Sequence, residues 1–389
     1  MMKKIIIFSL IVNFAFAQKV NLETLTQKGL DQNRDLALAL KRVDLQKALV
    51  NTAYEVPKTK IDYSFGNIQT PNVWDYSLSA IQNVELPKVF KLRKAYNESL
   101  VKIGESEVSV LRNEYRMNVS TFYYALYSLN KLKTVLEKEN LKLSEIEKVY
   151  KRRFEEGESD ILESSNVRLR ILENEMKIAK INQQENEILA QLKILLNISD
   201  IPELDFQNAA AVLVKTYDGN PRLGWQKSMI ESSKSMLETE KSKLLPSINL
   251  GVLNQSMAGS WRQFVGMVGV EMPIFTKAQK SRVEASKINV LIQESELEKI
   301  VHQIDNEVIS LRGSLLNIEN QIEMLNKQLL PSSEKVMEIS HKKYMAAQIT
   351  YYDWYLAYNQ NLTYKSELIS LEKERNVKIS TIKYLTGNE

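Results

Sequence analysis

With 389 residues, 44% of them hydrophobic and 26% charged, the chain is neither a disordered segment nor a helical polytopic membrane protein. Its 52 basic and 48 acidic residues leave a net charge of +4, too balanced to call for a nucleic-acid partner. The absence of cysteine excludes disulfides, thiolate metal sites, cysteine catalysis and a cysteine-linked lipid anchor.

The chain opens with Lys3 and Lys4, an apolar run from Ile5 to Val12, and small residues at Ala15 and Ala17. This order is that of a secretory signal covering 1–17, cleaved after Ala17 to leave Gln18 first. The apolar run is too short to span a bilayer as a helix, and no later stretch reaches the necessary length. An exported chain of this kind that enters a membrane does so as a β-barrel.

From residue 18 the sequence reads as one plan written twice. The first copy, 18–198, holds a helix, strands at about 58–69 and 74–86, and a long helical hairpin over 88–198. A turn-rich connector with Pro202, Pro221 and Asp218-Gly219-Asn220 covers 199–223. The second copy, 224–389, repeats a helix, strands at about 247–257 and 263–273, and a hairpin over 274–386. The landmarks recur at nearly one spacing: Pro57 with Pro246, Pro87 with Pro273, Phe154 with Tyr344, and Ile194–Asn197 with Tyr384–Gly387.

The strand runs alternate. Ile61, Tyr63 and Phe65 interleave with Asp62, Ser64 and Gly66, and Ile248, Leu250 and Val252 interleave with Ser247, Asn249 and Gly251. Period two with one apolar and one small or polar face fits barrel strands. Four strands cannot close a pore, so a channel requires several chains. The helices are long: only 12 glycines and 8 prolines occur in the whole chain. Leu297, Val301, Ile304, Val308, Leu311, Leu315, Ile318, Ile322, Leu325 and Leu329 keep strict 4-3 spacing, a coiled-coil seam. A second seam is expected through Val108, Leu111, Tyr115, Phe122, Ala125, Leu129, Leu132 and Leu136, with Asn118 inside it. A helix from about 88 to 150 would run roughly 95 Å, longer than any single globular core. His302 and His341 read as ordinary helix residues, and Tyr351, Tyr352, Trp354, Tyr355 and Tyr358 as packing between helices. No phosphate loop, metal-ligand cluster or nucleophile–base pattern is present, so neither enzymatic activity nor a cofactor is expected.

Several of these stretches resemble the TolC family of outer-membrane efflux proteins. They are Leu245-Pro246-Ser247-Ile248 with Glu271-Met272-Pro273-Ile274-Phe275, Arg153-Phe154-Glu155-Glu156-Gly157 with Asp160 and Glu163, Tyr344 to Thr350 with Asp353, and the closing Tyr384-Leu385-Thr386-Gly387. The resemblance implies a mainly helical mixed fold. Three chains with four strands each make a 12-stranded outer-membrane barrel, continued by an α-helical tunnel through the periplasm. It implies a passive conduit in the outer membrane of a Gram-negative bacterium, fed by an inner-membrane pump through a periplasmic adaptor. The two hairpin tips, with Arg152, Arg153, Phe154, Gly157, Asp160, Glu163, Tyr344, Ala347, Thr350 and Asp353, are then the periplasmic gate and adaptor contact.

The sequence departs from the family at Ala347, where glycine is usual, so this turn is expected to be less free to reach positive φ. Ile349 and Leu356 replace an arginine and a second acid, leaving Asp353 either as one acidic ring or as a solvated helix residue. The cargo stays open between drugs, metal ions and proteins. The competing reading is an exported coiled-coil scaffold or surface fibre, which leaves the two proline-flanked strand pairs unexplained.

Overall fold

The computed structural model describes residues 19–67, 71–210, 219–257 and 260–387, with Arg262 described by its backbone alone. The expected signal segment, and the turn residues Thr70, Asp218 and Gly259, lie outside the described residues. The chain order is α1 (Leu22–Gln32), α2 (Arg34–Leu49), a 3-10 turn (Val50–Tyr54), β1 (Lys60–Gly66), β2 (Asp75–Val84), α3 (Pro87–Glu155) and α4 (Ile161–Leu196). It continues with α5 (Pro221–Ser242), β3 (Ser247–Met257), β4 (Ser260–Glu271), α6 (Lys277–Met324), a π turn (Leu325–Leu329), α7 (Leu330–Met345) and α8 (Tyr351–Thr386). None of the described helices is long and apolar enough to cross a membrane. Two compact units divide the chain. One holds residues to Arg34, Glu114–Lys215 and Val308–Tyr384; the other holds Asp35–Asn113, Thr216–Glu307 and residues from Leu385. Each unit draws on both halves of the sequence.

The unit starting at Asp35 contains the sheet, four antiparallel strands in the order β1-β2-β3-β4. Register puts Tyr63 opposite Leu78, Ala80 opposite Val252, and Leu250 opposite Val268. Alternation therefore collects Ile61, Tyr63, Phe65, Leu250, Val252 and Val268 on one face. That face is uncovered: Ile61 is 68% exposed, Val252 62% and Val268 79%. At one end of it the rings of Tyr63, Phe65, Trp74 and Tyr76 stack in series. The opposite face is mixed: serines, glycines and amides share it with Ile81, Leu253, Val265 and Met267. Asn83 Nδ2 there donates to Ser247 Oγ (2.8 Å), Asn249 Oδ1 (2.9 Å) and Glu271 Oε2 (2.9 Å). The outer edges of β1 and β4 have no strand partner within the sheet order.

The unit ending at Tyr384 is helical. On its part of α6 the 4-3 seam is where its spacing puts it, with Val308, Ile318 and Ile322 buried. The seam on α3 differs from expectation. Val108, Tyr115 and Leu136 are buried, but between the last two the buried residues are Val119, Tyr123, Tyr124 and Leu126, whereas Phe122 and Ala125 are half-buried and Asn118 is exposed. The reason is the connector. Phe206 packs on the Tyr123 ring at 5.4 Å, the Tyr123 hydroxyl donates to the Asp205 carbonyl (2.5 Å), and it accepts from the Gln207 N–H (2.9 Å). The connector thus covers Tyr123, one residue out of phase with the expected seam.

Proline interrupts the helix that runs from α6 into α7 without ending it. Pro331 has no N–H to donate, and its ring crowds the carbonyl of Lys327. The chain responds with the π turn, in which the Leu330 N–H reaches back to the Leu325 carbonyl and one extra residue is accommodated.

Candidate functional site at the helical tips

Both hairpin tips, which lie in the same unit, close with one backbone motif. At the first, Gly157 N–H bonds the Phe154 carbonyl (3.0 Å) and Glu158 N–H bonds the Arg153 carbonyl (2.7 Å). At the second, Ala347 N–H bonds the Tyr344 carbonyl (2.9 Å) and Gln348 N–H bonds the Lys343 carbonyl (2.9 Å). This paired closure requires a left-handed residue after the helix. Gly157 takes φ 78° and Ala347 φ 55°. Ala347 thus takes the left-handed conformation although it lacks the freedom of glycine. The two hydrogen bonds hold it there against an intrinsic cost of about 1–2 kcal/mol.

The helices leaving the tips are capped by side chains. The Asp160 carboxylate accepts from the Leu162 N–H (3.0 Å). Thr350 and Asp353 form a reciprocal box: Asp353 Oδ2 accepts from the Thr350 hydroxyl (2.7 Å) and N–H (3.2 Å), and Thr350 Oγ1 accepts from the Asp353 N–H (3.2 Å).

The two tips are clasped together. The last carbonyls of a helix lack internal donors. Those of α7 receive them from α3: the Tyr150 hydroxyl donates to the Tyr344 carbonyl, and Arg153 Nη2 donates to the Met345 carbonyl. The guanidinium also places positive charge at the negative end of α7 and lies 5.2 Å from the Tyr150 ring centre. The fully buried Tyr344 ring is sandwiched between Tyr150 (4.4 Å) and Trp354 (5.2 Å), and Trp354 stacks on Tyr358 (5.3 Å). Behind them Arg170 sits 3.9 Å from the Tyr355 ring centre and donates to the Tyr351 hydroxyl (3.3 Å). Asn174, buried, donates to Asn140 Oδ1 (2.9 Å) and to the Tyr358 hydroxyl (3.1 Å).

With this geometry in hand, comparison with solved structures is decisive for the fold. CusC matches with a TM-score of 0.78 at 16% identity, over 95% of this chain and 92% of that one. The CmeC outer membrane channel of Campylobacter jejuni matches at 0.74 and 16%, over 94% and 85%. The outer membrane protein VceC of Vibrio cholerae matches at 0.76 and 12%, over 94% and 96%. The chain has the TolC-type channel fold. The sequence itself matches no protein-family model and no curated protein.

Within this fold, the candidate tip residues divide by burial. Tyr344 is wholly buried, Arg153 and Glu163 are half-buried, and Arg152, Phe154, Gly157, Asp160, Ala347, Thr350 and Asp353 are exposed. Arg153 and Tyr344 meet in the clasp, and the Glu163 charge is felt by both Tyr150 and Tyr344. Burial raises the Tyr344 hydroxyl far above the ordinary tyrosine value, so it stays neutral. Burial likewise raises Glu163; the Arg153 charge opposes that rise and Asp160 adds to it. Tyr344 Oη, Trp354 Nε1 and Arg153 Nη1 are buried without a hydrogen-bond partner among the described residues. Sequence reasoning had no reason to single out Tyr150, Arg170 or Asn174. Their only signal was aromatic spacing of three and four along Tyr351, Trp354, Tyr355 and Tyr358, which read as packing and is packing, whereas Tyr352, expected to pack with them, is 65% exposed.

Proposed function

We propose that the chain is one of three identical subunits of an outer-membrane channel, a passive conduit for small molecules or ions. Each subunit contributes four strands to a 12-stranded barrel, and its helices wall a periplasmic tunnel. The observation that carries this reading is the sheet: a bare apolar face with stacked aromatics at one end, a reverse face richer in serines, glycines and amides, and two edges without a strand partner among the described residues. An apolar face of this extent is unsuited to water, and open edges favour pairing with further copies. The TolC-type fold and the outer-membrane channels among its neighbours support it, one of them described in its open state. On the same reading the helical hairpin tips form the periplasmic gate, with Arg153, Glu163 and Tyr344 at the clasp. Arg152, Phe154, Gly157, Asp160, Ala347, Thr350 and Asp353 are presented to a periplasmic adaptor that couples the channel to an inner-membrane pump. The duplicated order of helix, two strands and two long helices supports an internal repeat.

The test is mass measurement of the detergent-purified protein combined with planar-bilayer recording. A trimer that conducts once the clasp is weakened by Arg153→Ala is expected. A monomer, or a trimer without conductance in either form, overturns the reading in favour of an exported helical scaffold.

A further inference from the structure

The π turn in the second hairpin changes which face of α7 is buried. Carried past Leu325 and Leu329, the strict 4-3 seam of α6 would next use Ser332, Val336, Ile339 and Lys343. The structure instead buries Ser333 and Tyr344 and half-buries Met337 and Ser340, each one residue later. Val336 and Ile339, apolar residues in phase with the seam, are left 51% and 47% exposed. One inserted residue corresponds to about 100° of helix rotation. The register is pinned by Asn361, whose Nδ2 donates to Ser333 Oγ (3.0 Å), while that hydroxyl donates to the Leu330 carbonyl (3.0 Å). Its neighbour Ser332 offers the same hydroxyl to the same asparagine after a one-residue rotation.

We propose that the π turn at Leu325–Leu329 is a register switch that lets α7 rotate between two seams, one placing Tyr344 in the clasp and the other replacing it with Val336 and Ile339 in the packed face. In the resting register Tyr344 and Met345 present their carbonyls to Tyr150 and Arg153. When the extra residue is absorbed into regular helix, α7 turns, these acceptors leave their donors, and the tips are released. Pro331 favours the resting register, because regular helix would press its ring on the Lys327 carbonyl. Lys343 favours it too, since the second register draws an ammonium toward the packed face. The alternative is thus a minor state of a two-state element, the kind of equilibrium a partner can bias. π turns within helices recur at such functional positions. The link to tip opening rests on the channel reading above; the rotation itself does not.

Because the chain has no cysteine, single cysteines report the register cleanly with a water-soluble maleimide. In the native background Val336→Cys should label several-fold faster than Ser333→Cys. Adding Pro331→Ala, which permits regular helix, should narrow or reverse that ratio and raise open probability in bilayers. Adding Pro331→Ala together with deletion of Lys327, which removes the extra residue while keeping the downstream phase, should restore the native ratio and hold the channel shut. An unchanged labelling ratio in Pro331→Ala overturns the switch. Should Pro331→Ala not assemble, warming the native-background Ser333→Cys protein decides: its labelling must accelerate well before helicity is lost, and labelling that appears only with melting overturns it. A labelling exchange with no current in any variant leaves the switch standing and removes the channel reading instead.

Discussion

At the scale of single residues, the clasp separates two tyrosines that look alike. Tyr150 works through its hydroxyl, Tyr344 through its carbonyl and ring. Tyr150→Phe removes one of the two donors to the Tyr344 carbonyl, which keeps the Ala347 N–H, and should cost about 0.5–1.5 kcal/mol. Tyr344→Phe removes a hydroxyl that is buried and unpartnered, and should be neutral or slightly stabilising. Denaturant titrations of the two variants compare them directly, and a larger loss for Tyr344→Phe would reverse the assignment. Glu163 carries a pH signature. Its value is raised in the fold, first by burial, so its contribution is complete below the ordinary glutamate range and is lost as pH rises through the raised value. Glu163→Gln should therefore raise the melting temperature at about pH 7 relative to that at about pH 4. Asp353 has a local duty in the capping box that is independent of any ring. Asp353→Asn keeps the side-chain shape, so folding should change by only a few tenths of a kcal/mol. A fall in cation selectivity would then report a ring of three carboxylates, and unchanged selectivity would leave Asp353 as a cap alone.

At the scale of elements, the α6 seam was legible because 4-3 spacing is a local property and nothing non-local disturbs it. Ile318 is 4% exposed in that seam, so Ile318→Asp buries an uncompensated carboxylate and should cost more than about 3 kcal/mol, visible as a lowered helical melting temperature. On α3 the same rule failed between Tyr115 and Leu136, because Asp205 and Phe206 arrive from far along the chain to cover Tyr123. On α7 it failed at Pro331. The proline was visible, but whether the chain would kink, stop or insert a π turn depends on what the helix packs against afterwards. The tips were readable as turns from Gly157 and from the Thr350–Asp353 spacing. The left-handed Ala347 was not, since alanine at that position is stabilised only by the surrounding hydrogen bonds.

For the molecule as a whole, the alternating strands carry the membrane argument, and one substitution on the bare face tests it. Val268 is 79% exposed at the middle of the apolar face on β4. Val268→Lys should destabilise the inserted barrel by about 2–4 kcal/mol if that face meets hydrocarbon. Urea washes of the membrane fraction, followed by unfolding in detergent, would show it. A variant as stable and as tightly retained as the native protein would mean that this face is covered by protein and not by lipid.

By itself the sequence determined the element types, the alternating faces of the strands, the α6 seam and the positions of both tips. All of these depend on residue spacing along a few turns or strands. Tertiary structure alone decided that the four strands form one sheet, that Tyr150 and Arg153 of one hairpin cap the carbonyls of the other, and that a π turn shifts α7 by one residue to bring Tyr344 inward. Those outcomes depend on which distant backbone groups need partners once the helices are side by side, and periodicity carries no record of that.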